Sequence, residues 1–103
     1  MIVTIFRSRL NPDAVQDYQA LAVEMSEKAR AMPGYLGHKI FTAEDGERVT
    51  IVEFDSPQSH RAWAEHPDHR AAQRLGRETF YSEYKIQVCE VKSSREFHKT
   101  PRT

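Results

Sequence analysis

The sequence predicts an α+β domain of the ferredoxin-like type, β-α-β-β-α-β with an antiparallel sheet. Three observations predict it. Short β-forming segments open and close the apolar part of the chain, a hairpin sits in its middle, and two helical stretches each begin at a polar residue followed by proline. A length of 103 residues allows one domain.

Met1–Leu10 reads as the first strand, because Ile2, Val3, Ile5 and Phe6 favour extended backbone and are apolar on both alternating phases. Asn11-Pro12-Asp13 then starts a helix, with Asn11 as N-cap, proline in the first turn and an acid where the helix dipole favours it. The helix is predicted over 12–31. Its apolar stripe is Tyr18, Ala22, Met25, Ala29 and Met32; Glu24, Glu27, Lys28 and Arg30 take the wet side, and Pro33-Gly34 ends it. Tyr35–Ala43 and Arg48–Asp55 form a hairpin about the Asp45-Gly46 turn. Ser56-Pro57 opens a second helix, which Pro67 breaks and restarts before Gly76 ends it. Tyr81–Val91 is the last strand, with Tyr84, Ile86 and Val88 on one phase and Cys89 and Val91 on the other. Residues 1–92 are read as the domain. Residues 93–103 lack apolar periodicity, carry Arg95, Lys99 and Arg102 against Glu96, and are read as a polar tail.

Charge and composition exclude several function classes. With 15 Lys+Arg against 15 Asp+Glu the formal net charge is zero, so the basic footprint of a phosphate-backbone binder is missing and no nucleic-acid partner is expected. The longest apolar run, at Met1 to Phe6, is too short to span a membrane or to serve as a signal peptide, so a cytoplasmic protein with no membrane partner is expected. Cys89 is the single cysteine and is read as a small buried hydrophobe, with no thiolate metal site available. Val3 and Ile5 oppose Ile2 and Phe6 across the first strand, and Val49 and Ile51 oppose Val52 and Phe54. Helices cover one face of such a sheet, so the second face predicts a homodimer.

The stretches Ala31-Met32-Pro33-Gly34-Tyr35-Leu36-Gly37, Ile51-Val52-Glu53-Phe54 and Trp63 to Ala72, together with the element order, resemble the antibiotic biosynthesis monooxygenase (ABM) domain of the dimeric α/β-barrel superfamily. The resemblance covers roughly residues 1–91. It implies a dimer of ferredoxin-like protomers, and the family includes cofactor-free oxygenases of anthrones and quinones, haem-degrading monooxygenases and quinol oxygenases. The haem branch uses an Asn on the first strand, a Trp on the second helix and an axial His nine or ten residues after that Trp. Here Trp63 matches, but Ala72 and Gln73 stand where the ligand belongs, and Phe6 and Arg7 where the Asn belongs. The expectation is therefore no cofactor and no metal.

His60, Trp63, His66 and His69 recur every three residues, which cannot aim all four at one point on a single helix. His69, followed on the inward side by Ala72 and Gln73, is the candidate base for a bound phenol; His38, on the phase of Leu36 and Ile40, is either a second base or a satisfied core histidine. Arg7 shares a phase with Val3 and Ile5 and needs an anion, either Glu53 or an enolate in the site. Trp63 is a core plug or a flat wall for an aromatic substrate, and Phe6, Tyr81 and Gln73 are candidate lining residues. No phosphate loop, nucleophile elbow or paired-acid motif occurs. The reading that follows is a cofactor-independent monooxygenase that takes a small aromatic or polycyclic phenol and O2, with His69 or His38 as base and Arg7 as anion stabiliser. Its rivals are haem binding through His66 or His69, and a module that only binds a hydrophobic metabolite.

Overall fold

A computed structural model describes residues 1–100. Arg102, assigned to the tail, lies outside the described residues. The elements are β1 (Ile2–Leu10), α1 (Val15–Arg30), β2 (Tyr35–Thr42), β3 (Arg48–Phe54), α2 (Pro57–Ala64), α3 (Pro67–Leu75) and β4 (Tyr81–Glu90). They build an α+β domain on one antiparallel sheet of order β2-β3-β1-β4, the ferredoxin-like arrangement.

Local chemistry explains most boundaries. Ser56 caps α2 reciprocally with Ser59: each backbone N–H donates to the other's hydroxyl at 3.2 Å. His66 caps α3, its Nδ1 accepting from the Asp68 N–H at 3.1 Å, so the Pro67 break is a true restart. The hairpin closes with Gly46 at φ +90°, while Asp45 keeps an ordinary φ and accepts from the Glu47 N–H. Gly34 at φ +83° ends the α1 connection, and any Cβ there would strike Asp55 and Ser59.

Two boundaries differ from expectation. Asn11 does not cap α1. A 3-10 turn, Pro12–Ala14, precedes the helix, and Asn11 instead donates its side-chain amide to the Thr79 carbonyl at 3.1 Å and its backbone N–H to the Phe80 carbonyl at 2.8 Å. Gly76 does not end the last helix. The chain widens into a π-helical turn, Gly76–Phe80, closed by the Tyr81 N–H on the Gly76 carbonyl. Asn11 thus ties the start of α1 to this turn.

The register divides the sheet into two faces. Ile2, Thr4, Phe6 and Ser8 share one face with Phe54, Val52, Thr50 and Arg48 of β3, and with Val88, Ile86 and Tyr84 of β4. The helices cover this face: Ala29 of α1 and Trp63 of α2 close over Phe54, with Met25, Met32, Tyr35 and Val52 packed around them. Phe54 is wholly buried and Trp63 is 7% exposed. The predicted α1 stripe is the inward one. Cover is incomplete over β4, where Ile86 is 40% and Val88 55% exposed. The helix-free face carries Val3, Ile5, Val49, Ile51, Phe41 and Cys89. Cys89 is half-buried there, not enclosed in the core, because nothing in the single chain lies over it. Residues 93–100 form no helix or strand, and Phe97 among them is exposed.

Candidate functional site

The structure gathers the predicted residues at two places on the helix-covered face. At the Phe54 end, the α2–α3 corner stacks the His69 ring on Trp63, with centroids 4.5 Å apart and 29° between planes; His66 leans on the same indole at 5.7 Å. The Pro67 restart makes this possible, because it turns α3 so that a residue six positions on meets the Trp63 face. His69 Nδ1 is buried and has no hydrogen-bond partner among the described residues. A buried polar atom left unpaired is uncommon in folded proteins, so this nitrogen invites a functional explanation. Burial holds the imidazole below its usual pKa, against the pull of the Ala64 and Trp63 carbonyls and reinforced by His60 and His66. His69 is therefore a neutral base at pH 7. Gln73 stands one turn further along α3 and is half-buried.

At the other end, Phe6 meets Tyr81 edge-on at 5.3 Å and stacks with Tyr84 at 5.6 Å. Tyr18 of α1 packs edge-on against Phe80 and Tyr81. The Gly76 backbone comes so close to the Tyr81 ring that a Cβ there would lie 2.6 Å from it. Burial, with Tyr18 next, raises the Tyr81 phenol well above its normal pKa, while the charge of Arg48 opposes the shift. The guanidinium of Arg48 lies over the Tyr18 ring at 4.9 Å. The two clusters are four residues apart along β1, from Ile2 to Phe6, about 13 Å of extended strand. Thr4, Ile86 and Val88 lie between them as an open apolar floor. Above it α3 packs mainly on α1 and on the turns at its own two ends.

Two predicted residues lie elsewhere. Arg7 points to the helix-free face, where Glu47 takes its Nε and Nη2 at 3.0 and 2.9 Å. The expected protein partner, Glu53, is replaced by Glu47: a carboxylate two strands positions nearer the hairpin meets the guanidinium directly, since Arg7 pairs in register with Val49 and not with Glu53. His38 has both ring nitrogens engaged, Nδ1 with the Tyr35 hydroxyl at 2.6 Å and Nε2 with Ser26 Oγ at 3.4 Å, and burial lowers its pKa. It tethers β2 to α1. Sequence reasoning passed over Arg48 and Tyr18. The available signal was phase, because Arg48 shares the alternation of Val52 and Phe54 and so is a cation on the inward side of a strand.

Haem can be tested against these residues. The expected axial position holds Ala72 and Gln73, the His69 ring is stacked on Trp63, and His66 spends Nδ1 on the α3 cap. The described residues do not fit a haem ligated from this helix.

Comparison with known proteins agrees with this architecture. The chain is 32% identical over 80 residues to YqjZ of Bacillus subtilis (strain 168), an uncharacterized protein; the match spans 78% of this chain and 70% of that one. In fold it is similar to Rv0793 of Mycobacterium tuberculosis, with a TM-score of 0.80 at 20% identity over 92% of this chain and 98% of that one. It is also similar to SnoaB of Streptomyces nogalater, described as a cofactor-independent oxygenase, with a TM-score of 0.76 at 12% identity over 90% and 94% of the two chains. The family model for antibiotic biosynthesis monooxygenase matches residues 1–75, which include both strands of the hairpin, Trp63 and His69, and the chain belongs to that family.

Proposed function

We propose that this protein is a cofactor-independent monooxygenase that oxidises a small aromatic or polycyclic phenolic substrate, anthrone- or quinol-like, with O2. The observation that carries the reading is the stacked His69–Trp63 pair with its unpartnered, buried Nδ1 beside an open apolar floor. Family membership and the description of SnoaB support the reaction class.

In this reading the substrate lies on Thr4, Ile86 and Val88, with Trp63 and Gln73 at one end and Phe6 and Tyr81 at the other. Neutral His69 takes a proton from the activated C–H or O–H of the substrate. The delocalised anion gives its electron pair to O2 in single-electron steps, and a C–O bond forms. The resulting peroxide takes a proton, then loses water with the second hydrogen of the same carbon, leaving a carbonyl and completing the quinone. One oxygen atom enters the product and one leaves as water. The substrate supplies all the electrons, so the protein's part is positioning and charge stabilisation. His38 and Arg7 serve the architecture in this reading.

The functional unit is a homodimer with the helix-free faces together, since Phe41 on that face is 49% exposed and Val3, Ile5, Val49 and Ile51 lie beside it. Oxygen uptake with anthrone and hydroquinone substrates tests the chemistry. Wild type should consume O2, and His69→Ala should lower kcat by roughly 10²- to 10⁴-fold, the usual share of a general base. No uptake across the panel overturns the proposal. A 12 kDa species in light scattering at micromolar concentration would overturn the dimer.

A further inference from the structure

The cations of this molecule are treated in two ways. Arg7, Arg9 and Lys28 each hold carboxylates: Glu47 for the first, Asp45 and Glu83 for the second, Asp68 and Glu24 for the third. Arg48 holds none among the described residues. It is half-buried on the helix-covered face, over the Tyr18 ring, beside Tyr81 and in register through Ser8 with Tyr84. Its chain neighbour Glu47 cannot serve it, because Glu47 is committed to Arg7 on the opposite face. Ser8, the strand partner of Arg48, is the buried polar residue of the sheet. A guanidinium partly removed from water, with aromatic rings for company and no counter-charge, gains most from an anion that is itself aromatic: the rings take its body and the fork takes its oxygens.

We propose that Arg48, framed by Tyr18, Tyr81 and Tyr84, is a subsite for an oxyanion conjugated to an aromatic ring, whether a carboxylate or an ionised phenol. The subsite sits at the far end of the floor from His69, so one extended ligand can meet the base with one ring and Arg48 with another. The inference takes its aromatic ligand class from the proposed function but makes a separate statement, about binding and charge.

The test uses the full chain and two probes. Titration calorimetry with 2-naphthoate and its neutral isostere 2-naphthamide reads the carboxylate arm. Wild type should prefer naphthoate by about tenfold or more, as a charge-assisted bidentate contact gives. Arg48→Gln should erase the preference and Arg48→Lys should restore part of it. The phenolate arm uses 4-nitrophenol, whose yellow anion reports its own ionisation: bound to wild type it should ionise at lower pH than in water, and bound to Arg48→Gln it should not. If Arg48→Gln does not fold, the wild-type preference and the Arg48→Lys variant decide. Equal binding of the two naphthalenes by wild type, or a preference that survives in Arg48→Gln, overturns the subsite. Anion-selective binding without oxygen uptake would break the catalytic reading and leave the subsite standing. Oxygen uptake whose KM for an acidic phenol is unchanged in Arg48→Gln would do the reverse.

Discussion

At the Phe54 end of the helix-covered face, α1 and α2 shut down on the sheet, and Trp63, Ala29 and Phe54 keep 7% or less of their surface. At the Arg48 end, five aromatic rings meet edge to face around a cation while Tyr84 remains 38% exposed, and no helix completes the cover. The same sheet face is therefore core at one end and binding surface at the other. Helix placement makes the difference: the Pro67 break and the π-turn after Leu75 lift α3 away from β4, whereas the capped α2 lies directly on β3. Side chains at the closed end should respond to mutation through stability, and those at the open end through binding.

Trp63→Ala gives the largest expected effect. Truncating a buried tryptophan removes its burial and leaves a cavity that the β3 floor cannot fill, a cost of about 3–5 kcal/mol. Tyr84→Ala, at the open end, should cost about 1 kcal/mol or less. Urea denaturation of both variants checks the contrast; similar losses would mean that the aromatic cluster is as much core as the tryptophan is.

Gly76→Ala separates two opposing terms. In an ordinary helix the exchange stabilises by about 0.5–1 kcal/mol, since alanine loses less backbone entropy. Here the new methyl would lie 2.6 Å from the Tyr81 ring, which Phe6, Tyr18 and Tyr84 hold on its other sides. Overpacking of that kind costs about 1–3 kcal/mol, so a net loss of stability is expected, together with an altered near-ultraviolet tyrosine signal. A gain in stability would show that the Tyr81 ring moves freely and that the open cluster is softer than its contacts imply.

Most of the fold was legible because its signals are local. The Ser56 cap, the Pro67 restart, the Gly46 turn and the α1 stripe are each written within a few residues of the feature they cause. What was not legible depends on partners far away in the chain. Asn11 has the residue type and position of a cap, yet its amide goes to a carbonyl 68 residues on. Gly76 looks like a helix end, but the widened turn exists because Tyr81 must seat against it. At the site, the pairing of Trp63 with His69 was readable as proximity across a helix break. The assignment of the anion-binding arginine was not, because a salt bridge between Arg7 and Glu47 needs the strand register that only folding supplies. Phase alone favoured Arg48, and its position at the mouth of a turn disguised it as ordinary hairpin charge.

The smallest expected effect is a pH slope, and it distinguishes the ends by protonation. Burial lowers the pKa of His69, and likewise of His60 and His38, below the value near 6.5 that an unfolded imidazole shows. Above about pH 6.5 both folded and unfolded chains carry these rings neutral, and the stability is fully present. As pH falls, the unfolded chain takes up protons that the folded chain refuses, so stability declines until the folded rings protonate in their turn. Each such ring contributes at most about 1.4 kcal/mol per pH unit within that window. Denaturation midpoints measured between about pH 7.5 and about pH 5 should fall, and His69→Gln should flatten the decline even if it also lowers the midpoint everywhere. The activity limb should follow the same group, with turnover held through neutral pH and lost on the acid side as His69 takes a proton and ceases to be a base. An unchanged stability slope in His69→Gln would mean that water reaches Nδ1 freely, and the closed end of the face would then not be closed.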